Sequence, residues 1–193
     1  MSKSIYNDNS NVEEERDFTI SILSENSVGM LHAVTIIFTR RKVNIESINA
    51  SDSEVPGVYR FTIVIRTKRS TAEKVVKQIE KLVDVLAAFL YEQEQVHYEE
   101  LALYKISKKV IELNPEIKNI IKSNGAEILP TEPEYEFVIY EKTGHKFEII
   151  KLFKELEPFG VSEFVKSARI AISKSKRETL TLIKYLEELD HNL

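Results

Sequence analysis

The stretch Phe18-Thr19-Ile20-Ser21-Ile22-Leu23-Ser24-Glu25-Asn26-Ser27-Val28-Gly29-Met30-Leu31-His32-Ala33-Val34 changes its hydrophobic period halfway along. Phe18, Ile20 and Ile22 alternate with Thr19 and Ser21, the period of a half-buried strand. Leu31, Val34, Ile37 and Phe38 instead recur at the spacing of one helical face. A strand that turns into an amphipathic helix at a glycine presents backbone amides and a helix dipole, which suit a small anion. Asn26 is placed to cap the helix start, and Gly29 lets a carboxylate approach the backbone closely. An ordinary N-cap followed by a turn glycine accounts for the same residues. Asn44 opens the next strand, Asn44-Ile45-Glu46-Ser47-Ile48.

Outward from this turn, one order of elements occurs twice. Strand 17–24, helix 29–41, strand 44–52, strand 57–67, helix 71–84 and strand 85–92 make a βαββαβ series, with Pro56-Gly57 at the hairpin tip. Val75, Val76, Ile79, Leu82 and Val83 supply the buried face of its second helix. Strand 99–107, helix 114–124, strand 126–131, strand 135–141, helix 145–157 and strand 161–173 repeat the series. All five glycines fall between these elements, where a residue that weakens regular structure is useful. The pattern predicts an α+β protein of two ferredoxin-like βαββαβ domains, residues 17–93 and 94–175, each an antiparallel sheet with helices on one face. Tyr104, Ile106, Val138 and Tyr140 read as apolar groups on both faces of the second sheet, which predicts that another domain or subunit covers it.

Residues 1–16, with Asn7-Asp8-Asn9-Ser10-Asn11 and Glu13-Glu14-Glu15, cannot bury enough apolar area to offset ordering and read as a disordered tail. From 176 to 193, Leu180, Ile183, Leu186 and Leu189 recur at helical spacing. An amphipathic helix of about 14 residues is marginal alone in water, so it is expected to dock on the second domain's open sheet or on another subunit.

Composition excludes several function classes. The 193 residues contain no cysteine, which removes thiol nucleophiles, disulfides and cysteine metal sites. A net charge of −4 argues against general nucleic-acid binding. The short basic runs Arg40-Arg41-Lys42 and Arg66-Thr67-Lys68-Arg69 read as solvated element ends. No apolar run approaches the roughly 20 residues of a bilayer span, so no membrane contact and a cytoplasmic address are expected. His32, His97, His145 and His191 lack metal-ligand spacing, and no serine elbow, phosphate loop or dinucleotide fingerprint occurs. Neither a catalytic centre nor a metal site is expected. Two small cores, each burying only roughly 60% of its unfolded surface, would be helped by oligomerisation.

Three stretches, Phe18–Val34, Asn44–Ile48 and Gln78-Ile79-Glu80-Lys81-Leu82-Val83-Asp84-Val85-Leu86, resemble in order and spacing the acetolactate synthase (acetohydroxyacid synthase) small-subunit family, which begins with an ACT domain. The similarity continues through Glu100-Leu101-Ala102-Leu103-Tyr104-Lys105-Ile106 and the segment Pro158–Ser173, from about residue 17 to about 174. It implies a regulatory subunit without catalysis of its own, acting in the biosynthesis of valine, isoleucine and leucine. The catalytic subunit it activates is a transferase that holds thiamine diphosphate, Mg and FAD, none of which this chain would bind. Valine would act as an allosteric feedback inhibitor.

Carried over by position, Asn26, Val28, Gly29 and Met30 would hold valine at one chain's helix start, and Asn44 and Ile45 would come from the second chain of an ACT homodimer. The Gly29 and Met30 amides would take the carboxylate, the two asparagines would accept from the ammonium, and apolar surface near Val28 and Ile45 would receive the isopropyl group. Ser53, Glu54, Val55, Pro56 and Gly57 would project toward the catalytic subunit; a plain exposed turn explains them equally. The chain departs from the family at Lys42, where many relatives have glycine and a left-handed lysine costs about 1 to 2 kcal/mol. It also departs at Lys166-Ser167-Ala168, in place of arginine, threonine and glycine, and in the stretch from Lys176. A stand-alone ACT amino-acid sensor remains the alternative. An RNA-binding ferredoxin-like module is disfavoured because Ile20, Ile22, Phe61 and Ile63 form one core face and the chain is acidic.

Overall fold

The structure, a computed structural model, describes residues 13–132, 134–176, 179 and 181–184. Its first unit comprises β1 (Arg16–Glu25), α1 (Met30–Arg40), β2 (Ile45–Asp52), β3 (Val58–Thr67), α2 (Arg69–Ile79) and β4 (Val85–Tyr91). The strand alternation sets the register: Phe18, Ile20 and Ile22 of β1 stand opposite Ile65, Ile63 and Phe61 of β3 in antiparallel pairing. Val34, Ile37 and Phe38 of α1 and Ala72, Val75 and Ile79 of α2 close this core from one side. The strand order is β2-β3-β1-β4, which leaves β2 as an edge.

The second unit comprises β5 (Val96–Ser107), α3 (Lys108–Leu113), α4 (Glu116–Ser123), β6 (Glu127–Leu129), β7 (Phe137–Gly144), α5 (Lys146–Leu156), β8 (Glu163–Lys166) and β9 (Ile170–Ser173). Its sheet runs β6-β7-β5-β8, and β9 pairs with the start of β5. Tyr104, Ile106, Ile117, Ile149 and Leu152 lie in its core. The Tyr104 hydroxyl donates to the Ile149 carbonyl at 2.8 Å, so the buried phenol is satisfied, and burial pushes its pKa up.

Several expectations are corrected. The helix expected over 114–124 is α4, and an additional helix, α3, fills residues 108–113 before it; the two are parted at Asn114-Pro115, because the residue before proline is pushed out of helical backbone. The strand expected over 161–173 is β8 and β9, parted at Ser167, whose N–H donates to the Leu101 carbonyl at 2.7 Å and whose Oγ accepts from Leu101 N–H at 2.9 Å. α2 ends at Ile79, and Val83 is 98% exposed rather than core. Gly144 closes β7 rather than separating elements. Tyr104, Ile106, Val138 and Tyr140 all point to one face, since Tyr104 pairs with Tyr140 and Ile106 with Val138 over the same core.

The flanks differ too. Residues 1–12 lie outside the described residues, but Arg16 begins β1 and Glu13 is not free tail. The Glu13 carboxylate accepts from Ser70 N–H at 2.8 Å and from Ser70 Oγ at 2.6 Å at the start of α2, bonds that hold it below the usual carboxylate range. At the other end Thr179 and residues 181–184 are helical. Ile183 is buried in a small cluster with Leu23 and Val58, edged by Val55, Phe89 and Leu182. This segment therefore covers the outer face of the first sheet, not the second, because β1 and β3 offer Leu23 and Val58 there. The rest of the expected helix lies outside the described residues.

The units meet around Arg169, which is 3% exposed. Its NH1 donates to Thr19 Oγ1 at 3.1 Å, its guanidinium stacks 3.8 Å over the Tyr98 ring, and its Nε lies 3.9 Å from Oε1 of the buried Glu100. Lys166 Nζ reaches the other oxygen of Glu100 at 2.9 Å. Within the departure at Lys166-Ser167-Ala168, Lys166 at the end of β8 thus helps neutralise a buried carboxylate.

Candidate functional site

The chain leaves β1 at Glu25 and enters α1 at Met30, with Gly29 as the N-cap at φ 90° and ψ −5°. Glycine adopts that left-handed backbone without steric penalty. A Cβ at Gly29 would meet nothing within 4 Å, so the position is also open in front. Asn26 is not the cap. Residues 27–29 form a turn, closed by Met30 N–H donating to the Ser27 carbonyl at 3.3 Å, and the helix starts beyond the reach of Asn26. Met30 therefore has its amide in that turn and its side chain in the core. The Gly29 N–H meets no backbone acceptor among the described residues.

The loop is held from two sides. Glu25 N–H donates to the Asp84 carbonyl at 2.9 Å and Ser27 Oγ to Asp84 Oδ2 at 2.7 Å, which ties it to the turn before β4. Asn26 N–H donates to the Gly57 carbonyl at 3.3 Å, which ties it to the β2–β3 hairpin. Between these tethers lies a hollow of about 200 Å³, rimmed by Asn26, Ser27, Gly29, Met30 and Leu31 and floored by Ala50, Tyr59 and Phe61. Val28 is fully exposed and Leu31 is 49% exposed beside it, so apolar surface borders the polar turn. The arrangement provides backbone amides, an amide side chain and apolar contact at the scale of a small zwitterion. The floor residues of the hollow and the Asp84 tether were not legible in the sequence; the aspartate within Gln78–Leu86 was the available signal.

Asn44 and Ile45 sit elsewhere in this chain. Ala50 pairs with Phe61 at the hollow, whereas Ile45 pairs with Ile65, five strand residues or about 16 Å away. Asn44 is exposed with its Nδ2 donating to Glu46 Oε1 at 3.4 Å, and Ile45 packs half-buried on its own core. Lys42 adopts φ 54°, and the turn closes with Lys42 N–H on the Thr39 carbonyl at 3.1 Å and Val43 N–H on the Phe38 carbonyl at 3.0 Å. The lysine thus takes the backbone a glycine would take, and the entry to Asn44 follows the usual helix-ending turn.

The hairpin Ser53-Glu54-Val55-Pro56-Gly57 is braced. Ser53 N–H donates to the Val58 carbonyl at 2.9 Å, and Gly57 has φ 82°. Arg60 pairs with Glu54 at 2.9 Å and donates to Thr179 Oγ1 at 3.1 Å, while Val55 packs by Ile183. The Glu54 carboxyl lies below its usual range, held there first by its own backbone amide and then by Thr179 and Arg60. Pro56 and Gly57 remain exposed at the tip. Among the described residues no cluster of three or more histidine, aspartate or glutamate side chains could hold a metal ion, and no helix is long and apolar enough to cross a membrane.

Comparison with known proteins bears on the family of the chain. Residues 20–87 match the family described as an AHAS small subunit-like ACT domain, and residues 99–175 match that described as the small subunit of acetolactate synthase. The acetolactate synthase small subunit of Mycobacterium bovis is 30% identical over 161 residues, covering 82% of this chain and 93% of its own. The probable acetolactate synthase small subunit of Methanothermobacter thermautotrophicus is 31% identical over 170 residues, covering 86% and 98%. The crystal structure of the acetolactate synthase small subunit from Thermotoga maritima superposes with a TM-score of 0.73 at 27% identity, covering 84% of this chain and 99% of that one. The chain belongs to the acetolactate synthase small-subunit family, with an ACT domain as its first unit.

Proposed function

We propose that this chain is the regulatory subunit of acetolactate synthase in branched-chain amino-acid biosynthesis, raising the activity of a separate catalytic subunit and making it sensitive to valine. The observation that carries this reading is the glycine-capped hollow at the β1–α1 turn, where the amides of Gly29 and the first turn of α1 would meet a carboxylate and Asn26 an ammonium. The hollow is one half of a site. β2 is an open edge, and a second copy adding its own β2 antiparallel would carry Asn44 and the Ile45 backbone toward the Ala50 end of the first chain. Valine would then bridge two chains, so that binding biases their arrangement. Any effect on a distant catalytic centre requires different affinities for two such arrangements, typically about 1 to 3 kcal/mol. The exposed tip Pro56-Gly57, tied to Asn26 through the Gly57 carbonyl, is the surface offered to the catalytic subunit.

The test is titration of this protein into the catalytic subunit of the same organism, following product formation with and without millimolar valine. Activation that valine reverses is the expected result. Activation without reversal would keep the partnership and remove valine as the effector. Absence of activation would leave a stand-alone amino-acid sensor.

A further inference from the structure

The strand that carries Asn44 bulges two residues later. Ile45 stands opposite Ile65 and Ser47 opposite Val64, so Glu46 is the extra residue, and such a bulge re-aims the side chains around it. The Glu46 carboxylate makes two contacts through different oxygens. Oε1 accepts from Asn44 Nδ2 at 3.4 Å, and Oε2 lies 3.7 Å from Nζ of Lys146, the first residue of α5 in the second unit. The Glu46 and Lys146 side chains are 37% and 54% exposed, so their ion pair contributes little to stability. Its consequence is orientation. An asparagine amide has a donor end and an acceptor end. With its NH2 directed at a carboxylate, Asn44 presents its oxygen to whatever lies in front of it, and an amide oxygen accepts from an ammonium but has nothing to offer a ketone oxygen.

We propose that Glu46, steadied by Lys146 of the second unit, is the positioning residue that makes this site select 2-amino acids over the 2-oxo acids of the same shape, by turning the Asn44 oxygen toward the ligand's ammonium. The inference rests on the reading of Asn26, Gly29 and Asn44 as an amino-acid site. It also gives the second unit a part in ligand recognition, since Lys146 reaches across the domain boundary.

The experiment is calorimetric titration of the full chain with valine and, separately, with 3-methyl-2-oxobutanoate, which keeps the carboxylate and isopropyl group and replaces the ammonium. Glu46→Ala is expected to weaken valine about tenfold, the scale of one hydrogen bond to a charged group, and to leave the oxo acid unchanged. Glu46→Gln should retain part of the preference, because its amide oxygen still accepts from Asn44, and Lys146→Met should shift valine in the same direction by less. A purely structural role would weaken both ligands together or lower the melting temperature of the ligand-free variants. Equal losses for the two ligands, or unchanged valine affinity in Glu46→Ala beside a wild type that binds valine, would overturn the assignment. A wild type that binds neither acid would overturn the reading of the site, and the assignment with it.

Discussion

The two units repeat one fold and differ at their first strand–helix turn. In the first, four residues separate β1 from α1, and the helix begins on a left-handed glycine with a hollow in front. In the second, β5 runs through Ser107 straight into α3, Ser107 is an extended N-cap, and the Lys108 N–H donates to the Glu136 carbonyl at 2.8 Å. The first amide of the second helix is taken up from within, while the Gly29 N–H meets no backbone acceptor among the described residues. A ferredoxin-like unit does not of itself make a hollow at a helix start; the loop 26–29 does. Two further loops, at different places in the series, also contrast. Lys166 at the end of β8 and Arg169 at the end of the next loop turn inward on Glu100, whereas Pro56 and Gly57 at the tip of the Ser53–Gly57 hairpin stay exposed.

Substitutions can break this contrast. Arg169→Met should have the largest effect, about 3 kcal/mol off the unfolding free energy in urea, because it leaves Glu100 buried with Lys166 alone; the double variant Arg169→Met, Glu100→Met should recover most of that. On the proposed reading, Asn26→Ala should leave the fold intact and weaken valine by on the order of 2 kcal/mol in calorimetry, since it removes a hydrogen bond to the ligand's charged ammonium. Ile183→Ala should lower stability by about 2 kcal/mol by opening a cavity against Leu23 and Val58, with the melting temperature as readout. The smallest effect sharpens a second parallel. Lys42 and Gly125 end α1 and α4 in the same left-handed turn, at φ 54° and φ 64°. Lys42→Gly should stabilise by about 1 kcal/mol and Gly125→Lys should destabilise by a similar amount, both read from denaturant midpoints.

Most of the fold was legible because its strands alternate cleanly. Phe18, Ile20 and Ile22 against Phe61, Ile63 and Ile65 identify a sheet with one buried face before any coordinates are known. The failures have common causes. Asn26 reads as a cap because asparagine caps helices, but capping depends on where the first helical turn begins, and the bond from Met30 N–H to the Ser27 carbonyl moved it downstream. Tyr104 and Tyr140 read as two-faced because period alone does not say which residue of a neighbouring strand lies opposite. Ile183 was recognised as needing a partner, yet its seat on Leu23 and Val58 is a long-range contact that no local pattern encodes. The bulge at Glu46 is not legible either, because a bulge is defined by pairing, and an acidic residue in an edge strand looks like solvated charge.

The separation of Asn44, just before β2, from the hollow, about 20 Å along the strand direction, has a genetic corollary. If no chain completes its own site, two defective alleles can complement each other. A protein made from one gene carrying Asn26→Ala and another carrying Asn44→Ala would contain mixed pairs in which one pocket has lost both asparagines and the other has kept both. Each allele alone would be insensitive to the amino acid, and together they would restore sensitivity in a fraction of the assemblies set by chance pairing.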